Sequence, residues 1–300
     1  MNLQEPIAVT GPGGRLGRAI VESLAERGMA VIRAERPHYD LDDATAAGRL
    51  IETHHPRTVI HAAAWTDVEG CAAQPDLAMR RNGTAVQELA EVCVAADATL
   101  VLISTNEVFD GQRDDGRGYA EDDPPGPVNP YGATKLSGEQ AARAAYSRDD
   151  GAGRLWIIRT AWLFGPPGND FPSKIIAAAD RLASGEDLRV VSDEVGSPSY
   201  TIDLAPALLD LVVAAPAGTY HLVGGGVASR FEVAREVIAS CRPAVRIAPI
   251  SRSEFPRTST APAWAVLDTG RARSFGISTR AWPAALSSYL GQLCPASAPT

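Results

Sequence analysis

The chain has 300 residues, a net charge of −8, 45% apolar and 21% charged residues, which suits a soluble globular protein of one large α/β unit or two intimate lobes. The acidic balance argues against nucleic-acid or anionic-membrane partners, although local N–H groups and single arginines can still hold a small anion. Residues 1–6 carry neither a basic nor an apolar stretch, and no apolar run reaches bilayer length, so a cytoplasmic protein without a signal peptide is expected.

In chain order, short β-branched runs at 7–10, 30–33, 58–61, 99–104 and 155–160 predict strands. Between them, Leu16, Ala19, Ile20 and Leu24 share one face of a helix over 16–25. A longer helix is predicted over 77–96, and another over 131–146, introduced by Asn129-Pro130. Such alternation predicts an α/β fold with a doubly wound parallel Rossmann sheet. The pattern changes near Phe164, where Gly165-Pro166-Pro167-Gly168-Asn169 reads as a loop. Beyond it, helices are predicted over 171–183, 201–213, 231–240 and 281–293, and strands over 188–191 and 219–223. The expected division is a dinucleotide-binding domain over 1–165, with a later contribution from about 200–223, and a smaller C-terminal α/β substrate-binding lobe over 166–300. Residues 110–123 read as a polar surface loop, and 295–300 are expected to fray. Cys71, Cys93, Cys241 and Cys294 lie far apart with no metal-ligand or C-x-x-C spacing, so inert thiols and no metal are expected.

Gly11, Gly14 and Gly17 form G-x-x-G-x-x-G between the first strand and the first helix, in the run Thr10-Gly11-Pro12-Gly13-Gly14-Arg15-Leu16-Gly17. The first glycine makes the tight turn, the second admits a pyrophosphate to the backbone, and the third lets helix and strand pack closely. The helix N-terminus adds free N–H groups and a positive dipole end. At the end of the second strand, Glu35 would bond the ribose hydroxyls of NADH and Arg36 would meet the 2′-phosphate of NADPH, and the two leave the choice open. Asp40 and Leu41 are placed to edge the adenine, while Asp42 or Asp43 can cap the next helix. His61-Ala62-Ala63-Ala64 closes the third strand with side chains small enough for a cofactor to pass; tight helix–sheet packing would ask for the same residues.

Tyr131-Gly132-Ala133-Thr134-Lys135 is Y-x-x-x-K at a helix start, which puts phenol and ammonium on one face. The chain has only two lysines, Lys135 and Lys174. A free tyrosine titrates near pH 10, and an adjacent ammonium is expected to lower that value so that Tyr131 exchanges a proton with a carbonyl oxygen as hydride reaches carbon. Lys135 would also reach the cofactor ribose. Ser104 or Thr105, at the end of the fourth strand, would hydrogen-bond the carbonyl, and Thr105 is favoured; a capped strand end would use the same hydroxyls.

Together these motifs resemble the extended short-chain dehydrogenase/reductase superfamily and, within it, the dTDP-4-dehydrorhamnose reductases. The resemblance covers almost the whole chain. Residues 61–69 resemble N-A-A-x-T-x-V-D, 104–111 (S-T-N-E-V-F-D-G) resemble S-T-D-Y-V-F-D-G, and 131–139 (Y-G-A-T-K-L-S-G-E) match nearly residue for residue. Residues 159–165 resemble R-T-S-W-V-Y-G, 195–201 resemble I-G-S-P-T-Y-T, and Val266-Leu267-Asp268 fits a late V-L-D. The resemblance implies NADPH- or NADH-dependent reduction of the 4-keto group of a dTDP-linked 6-deoxysugar. Thr105, Tyr131 and Lys135 carry over as the catalytic set, and Ser104 joins the cofactor side. Thr66, Val68, Glu69, Asn106, Glu107, Trp162 and Ser197 carry over to the substrate side; for Trp162 a core position is the alternative. The implied partner is a nucleotide-sugar, and a homodimer is compatible with the resemblance. Departures fall on the substrate side: Asn106 and Glu107 stand where the family has Asp then Tyr, Glu69 where it has Asp, and Ala261 where an Arg commonly precedes Pro262. They imply a related keto-sugar nucleotide rather than dTDP-4-dehydrorhamnose itself. Three other readings share the superfamily: a sugar-nucleotide 4,6-dehydratase, which Asn106 disfavours because an amide cannot donate the required proton; a sugar-nucleotide epimerase; and a non-catalytic regulatory subunit such as that of methionine adenosyltransferase.

Overall fold

The computed structural model describes residues 3–147 and 154–294. Five strands and the helices between them build the N-terminal half: β1 (Ile7–Thr10), α1 (Arg15–Glu26), β2 (Val31–Ala34), α2 (Ala46–His54), β3 (Thr58–His61), α3 (Val68–Ala73), α4 (Pro75–Met79), α5 (Ala85–Ala95), β4 (Thr99–Thr105), α6 (Pro130–Ser147) and β5 (Leu155–Thr160). The chain continues through β6 (Leu163–Phe164), α7 (Phe171–Ala179), β7 (Leu188–Val191), β8 (Val195–Gly196), β9 (Ser199–Tyr200), α8 (Thr201–Ala214) and β10 (Gly218–His221). It ends with β11 (Ala228–Ser229), α9 (Arg230–Cys241), β12 (Ile247–Ile250), α10 (Gly270–Arg273) and α11 (Trp282–Leu293).

A parallel six-stranded sheet runs in the order β10-β5-β4-β3-β1-β2. Buried strands alternate their side chains between two apolar layers. Ile7, Val9, Ile60 and Val101 join Leu16, Ile20 and Leu24 of α1 and Leu204, Leu208 and Leu211 of α8 on one face. Ala8, Val59, Leu100 and Leu102 join Leu50 of α2, Leu89 of α5 and Tyr146 of α6 on the other. Strand order reverses between β1 and β3, so a crevice opens beyond their carboxyl ends, where open α/β sheets take their ligands.

A third apolar cluster lies after β5. Phe164, Tyr200 and Tyr289 gather with Leu188, Val190, Val233, Val237 and Leu286, under α7, α9 and α11. Short paired strands (β7 with β12, β8 with β11, β6 with β9) tie this region together. Apart from the β7 strand, these two- to four-residue pairings carry too few residues for a period to show in the sequence. Among the described residues, no helix is long and apolar enough to cross a membrane. The segment 295–300, expected to fray, lies outside the described residues.

Two expectations are corrected. The single helix expected over 77–96 is broken: α4 and α5 are joined by a π-helical turn, Arg80–Thr84. The turn holds buried Asn82, whose amide donates to the Trp65 carbonyl at 3.0 Å and accepts from the Trp65 N–H at 2.8 Å, so the extra residue serves the loop after β3. The cysteines are not all unpaired. Cys241 at the end of α9 and Cys294 just after α11 form a disulfide with Cα atoms 5.6 Å apart, while Cys71 and Cys93 are buried thiols. Packing of two helices on one core brings together residues 53 apart, which no local spacing announces.

Candidate active site

The Gly loop turns directly from β1 into α1. Gly17 is required by packing: a Cβ there would lie 2.1 Å from the Gly11 carbonyl oxygen. The cap of α1, Gly14, offers no side-chain acceptor, and the first turn holds no acidic residue. The first N–H groups of the helix are therefore left for an external anion. Thr10 fixes the base of the loop, since its hydroxyl bonds His61 Nδ1 at 2.9 Å and accepts from the Ala63 N–H at 3.2 Å. Burial pushes the His61 imidazole down to about 3, so it stays neutral.

Three joined cavities run across the carboxyl edge of the sheet. The first, about 520 Å³, is lined by Gly11, Gly13, Gly14, Glu35, Arg36, Leu41 and Ala62 to Ala64, together with Tyr39, Trp65 and Arg81. Arg36 pairs with Asp40 at 3.0 Å, and Glu35 lies 3.6 Å from Arg33. Asp40 therefore acts on Arg36 and is not on the cavity wall. Asp42 does not cap α2; it grips Arg81 at 2.6 and 2.7 Å. Asp43 instead accepts from the Thr45 N–H at 2.9 Å, just ahead of that helix. Arg81, which sequence reading missed, stacks over Trp65 at 5.1 Å.

The second cavity, about 320 Å³, collects Gly14, Arg15, Leu16, Gly17, Ala62, Ala64, Thr66, Val68, Ser104, Thr105, Asn106, Glu107, Tyr131, Lys135 and Trp162. Asn129 starts α6 by accepting the Gly132 N–H at 2.8 Å, which sets Tyr131 in the first turn, half-buried at the cavity edge. Its phenol lies close to the Thr105 side chain on the same cavity wall. Lys135 is buried and donates to the Ile103 carbonyl at 2.7 Å. Burial brings its ammonium down to about 8, against the opposing pull of Glu139. The lowered Tyr131 expected from Lys135 is not what the structure shows. Burial first, then the charge of Glu107, push the phenol above its ordinary value. Tyr131 is thus held protonated, the form that gives a proton away. The hydroxyl of Ser104 is already committed to Glu139 at 2.5 Å, and Glu139 in turn holds Arg159 with both oxygens. The Thr105 hydroxyl, beside the phenol, donates to Asn106 Oδ1 at 3.3 Å and accepts from the Glu107 N–H at 3.2 Å.

The third cavity, about 680 Å³, shares Arg15, Thr66, Val68, Trp162 and Arg230 with the second. Trp162 sits on its wall with a left-handed backbone (φ 44°), its indole seated against Gly196, whose missing Cβ makes the room. Ser197 is buried beneath this wall and not on it; its carbonyl accepts from Ser199 Oγ at 3.0 Å. Glu69 borders the cavity, but its carboxylate accepts the Thr258 and Ser259 N–H groups at 2.7 and 3.1 Å, which holds it below the usual carboxylate range. It is a clamp on that loop. Asn106 is buried and donates to the Ala265 carbonyl at 3.4 Å. Arg230, at the start of α9, was not foreseen. Its guanidinium lies 3.6 Å from the Trp162 ring centroid and 5.0 Å from that of Phe171, and burial brings it down to about 10. Neither Arg230 nor Lys174 has an ion pair among the described residues, whereas Asp170 is saturated by the Gly165 and Ser173 N–H groups and the Ser173 hydroxyl. Arg230 and Lys174 thus keep donors for a ligand on this wall, which they share with Thr66 and Asp67.

The RmlD substrate binding domain family matches residues 5–294. A dTDP-4-dehydrorhamnose reductase of Streptomyces griseus is 38% identical over 295 residues, covering 95% of this chain and 93% of the relative. The chain belongs to the dTDP-4-dehydrorhamnose reductase family. The crystal structure of a dTDP-4-dehydrorhamnose reductase from Clostridium acetobutylicum superposes with a TM-score of 0.88 at 32% identity, covering 96% of this chain and 99% of that one. The reductase of Bacillus anthracis, solved in complex with NADP, gives 0.85 at 28% identity over 97% of this chain and all of that one. Both place this member of the family in the extended short-chain dehydrogenase/reductase fold.

Proposed function

We propose that this chain is an NAD(P)H-dependent oxidoreductase that reduces the 4-keto group of a nucleotide-linked, dTDP-type 6-deoxysugar in deoxysugar biosynthesis. One observation carries the reading: Thr105, Tyr131 and Lys135 meet where the Gly-loop cavity opens into a cavity with free cationic donors. The first cavity takes the dinucleotide, with its phosphates at Gly13 to Leu16 and Gly17 allowing the tight turn. The third takes the sugar nucleotide, with Arg230 and Lys174 facing its diphosphate. NADPH or NADH, when bound, supplies the hydride. Tyr131, kept protonated, gives its proton to the carbonyl oxygen as it becomes an alkoxide. Thr105 turns its single hydroxyl proton to that same oxygen, and Lys135 holds positive charge behind them. Residues 1–165 with 200–223 form the dinucleotide domain in this reading, and most of 166–300 forms the substrate lobe.

The departures from the family at Glu107 and Asn106 favour a related keto-sugar over dTDP-4-dehydrorhamnose itself. The names of the relatives support a nucleotide-sugar substrate. The cytoplasm is the proposed compartment, and a homodimer is the proposed assembly. Transfer of deuterium from NADPH dideuterated at C4 tests the reaction. The label should appear on C4 of the product sugar; label on any other carbon, or none, refutes the reading.

A further inference from the structure

Glu107 places an acceptor-only carboxylate on the wall of the second cavity. The group is held in place. Its Oε2 accepts from Asn129 Nδ2 at 2.7 Å, and that same amide nitrogen donates to the Thr260 carbonyl at 2.8 Å. The 3₁₀ turn Asn106–Val108 is pressed against the start of α6: a Cβ on Gly132 would lie 2.0 Å from the Glu107 carbonyl oxygen. Glu107 is thereby fixed beside Tyr131, close enough for its charge to act on the phenol. Its Oε1 has no donor among the described residues. On the wall of an open cavity, that oxygen is free to accept a hydrogen bond from a ligand in place of water.

We propose that Glu107 determines specificity: its Oε1 accepts a hydrogen bond from the ring hydroxyl on C3 of the keto-sugar. This rests on the reductase reading above. With Thr105 and Tyr131 at the carbonyl oxygen, the nearest substrate groups are those on the two carbons flanking C4. One of these, C5, bears the methyl group and the ring oxygen; C3 bears the only hydroxyl. The site therefore selects sugars whose C3 hydroxyl is free, and a C3-deoxy substrate leaves the carboxylate without its donor.

The test compares dTDP-4-keto-6-deoxyglucose with its 3-deoxy analogue, using wild type, Glu107→Ala and Glu107→Gln, with NADPH fluorescence confirming that each variant binds cofactor. The wild type should favour the hydroxylated sugar at least about tenfold in kcat/KM, the loss expected when a charged acceptor goes unpaired. Glu107→Ala should bring the ratio to within about twofold by losing rate on the hydroxylated sugar alone, and Glu107→Gln should fall between. An unchanged ratio in Glu107→Ala, or in Glu107→Gln should the alanine variant fail to bind NADPH, overturns the inference while leaving the reductase reading intact. A wild type that binds NADPH and reduces neither sugar overturns both.

Discussion

Lys135 bridges α6 and β4, its Nζ donating to the Ile103 carbonyl over 2.7 Å, two residues ahead of Thr105. The strand that carries the hydroxyl thus also holds the ammonium. Burial lowers the lysine to about 8 from its ordinary 10.5, so the charge is present below pH 8 and lost as pH rises through that value. If the ammonium supports the alkoxide, kcat/KM should be flat below this point and fall above it. Lys135→Arg, which stays charged, should abolish the alkaline fall while lowering the rate. A pH profile with the same inflection in both proteins would assign it elsewhere.

Gly17→Ala should damage the cofactor site through packing. Its Cβ would sit 2.1 Å from the Gly11 carbonyl, so α1 must shift off the loop. A loss of about 1–3 kcal/mol in urea unfolding is expected, together with a large rise in the Kd for NADPH by fluorescence titration.

Glu139 and Arg159 form a buried pair, 1% and 4% exposed, joined at 2.7 and 2.9 Å. Removing one partner strands the other charge. Glu139→Ala should therefore cost about 3–5 kcal/mol in denaturant unfolding, and it frees the Ser104 hydroxyl as well. A change of under about 1 kcal/mol would show that the pair is not closed in solution.

Cofactor choice rests on exposed groups at the end of β2. Arg36 lies at the rim of the first cavity, paired with Asp40. Arg36→Ala should raise KM for NADPH about tenfold, as for one lost charge-assisted hydrogen bond, and leave KM for NADH unchanged. Equal effects on both would place the 2′-phosphate away from Arg36.

Much of this architecture was legible because it is written locally. β1, β3 and β5 appear at the expected residues, and the alternation of Ile7 and Val9 against Ala8 is enough to set two core faces. The Gly loop and the Tyr131–Lys135 pair depend on spacing within one turn or helix, which a sequence displays directly. Arg230 was missed because its meaning comes from Trp162, 68 residues earlier, which only the fold brings within 3.6 Å. Glu69 was read toward substrate because nothing near it in the chain shows that the amides of Thr258 and Ser259 would take its oxygens. The π turn was hidden because residues 77–96 remain helical on both sides of Asn82, and the extra residue is explained only by the Trp65 backbone it serves. The direction of the Tyr131 shift was misjudged because a helix-face argument counts the ammonium, whereas in the fold Lys135 turns to the Ile103 carbonyl and burial, then the Glu107 charge, act on the phenol.

Delivery of the proton by Tyr131 in reduction of a keto-sugar nucleotide is tested by NADPH consumption at 340 nm with dTDP-4-keto-6-deoxyglucose, wild type against Tyr131→Phe. The wild type should oxidise NADPH steadily and the variant should lose about 10²- to 10⁴-fold in kcat, with NADPH binding retained. Equal turnover by the two proteins, or none by a wild type that binds NADPH, would contradict it.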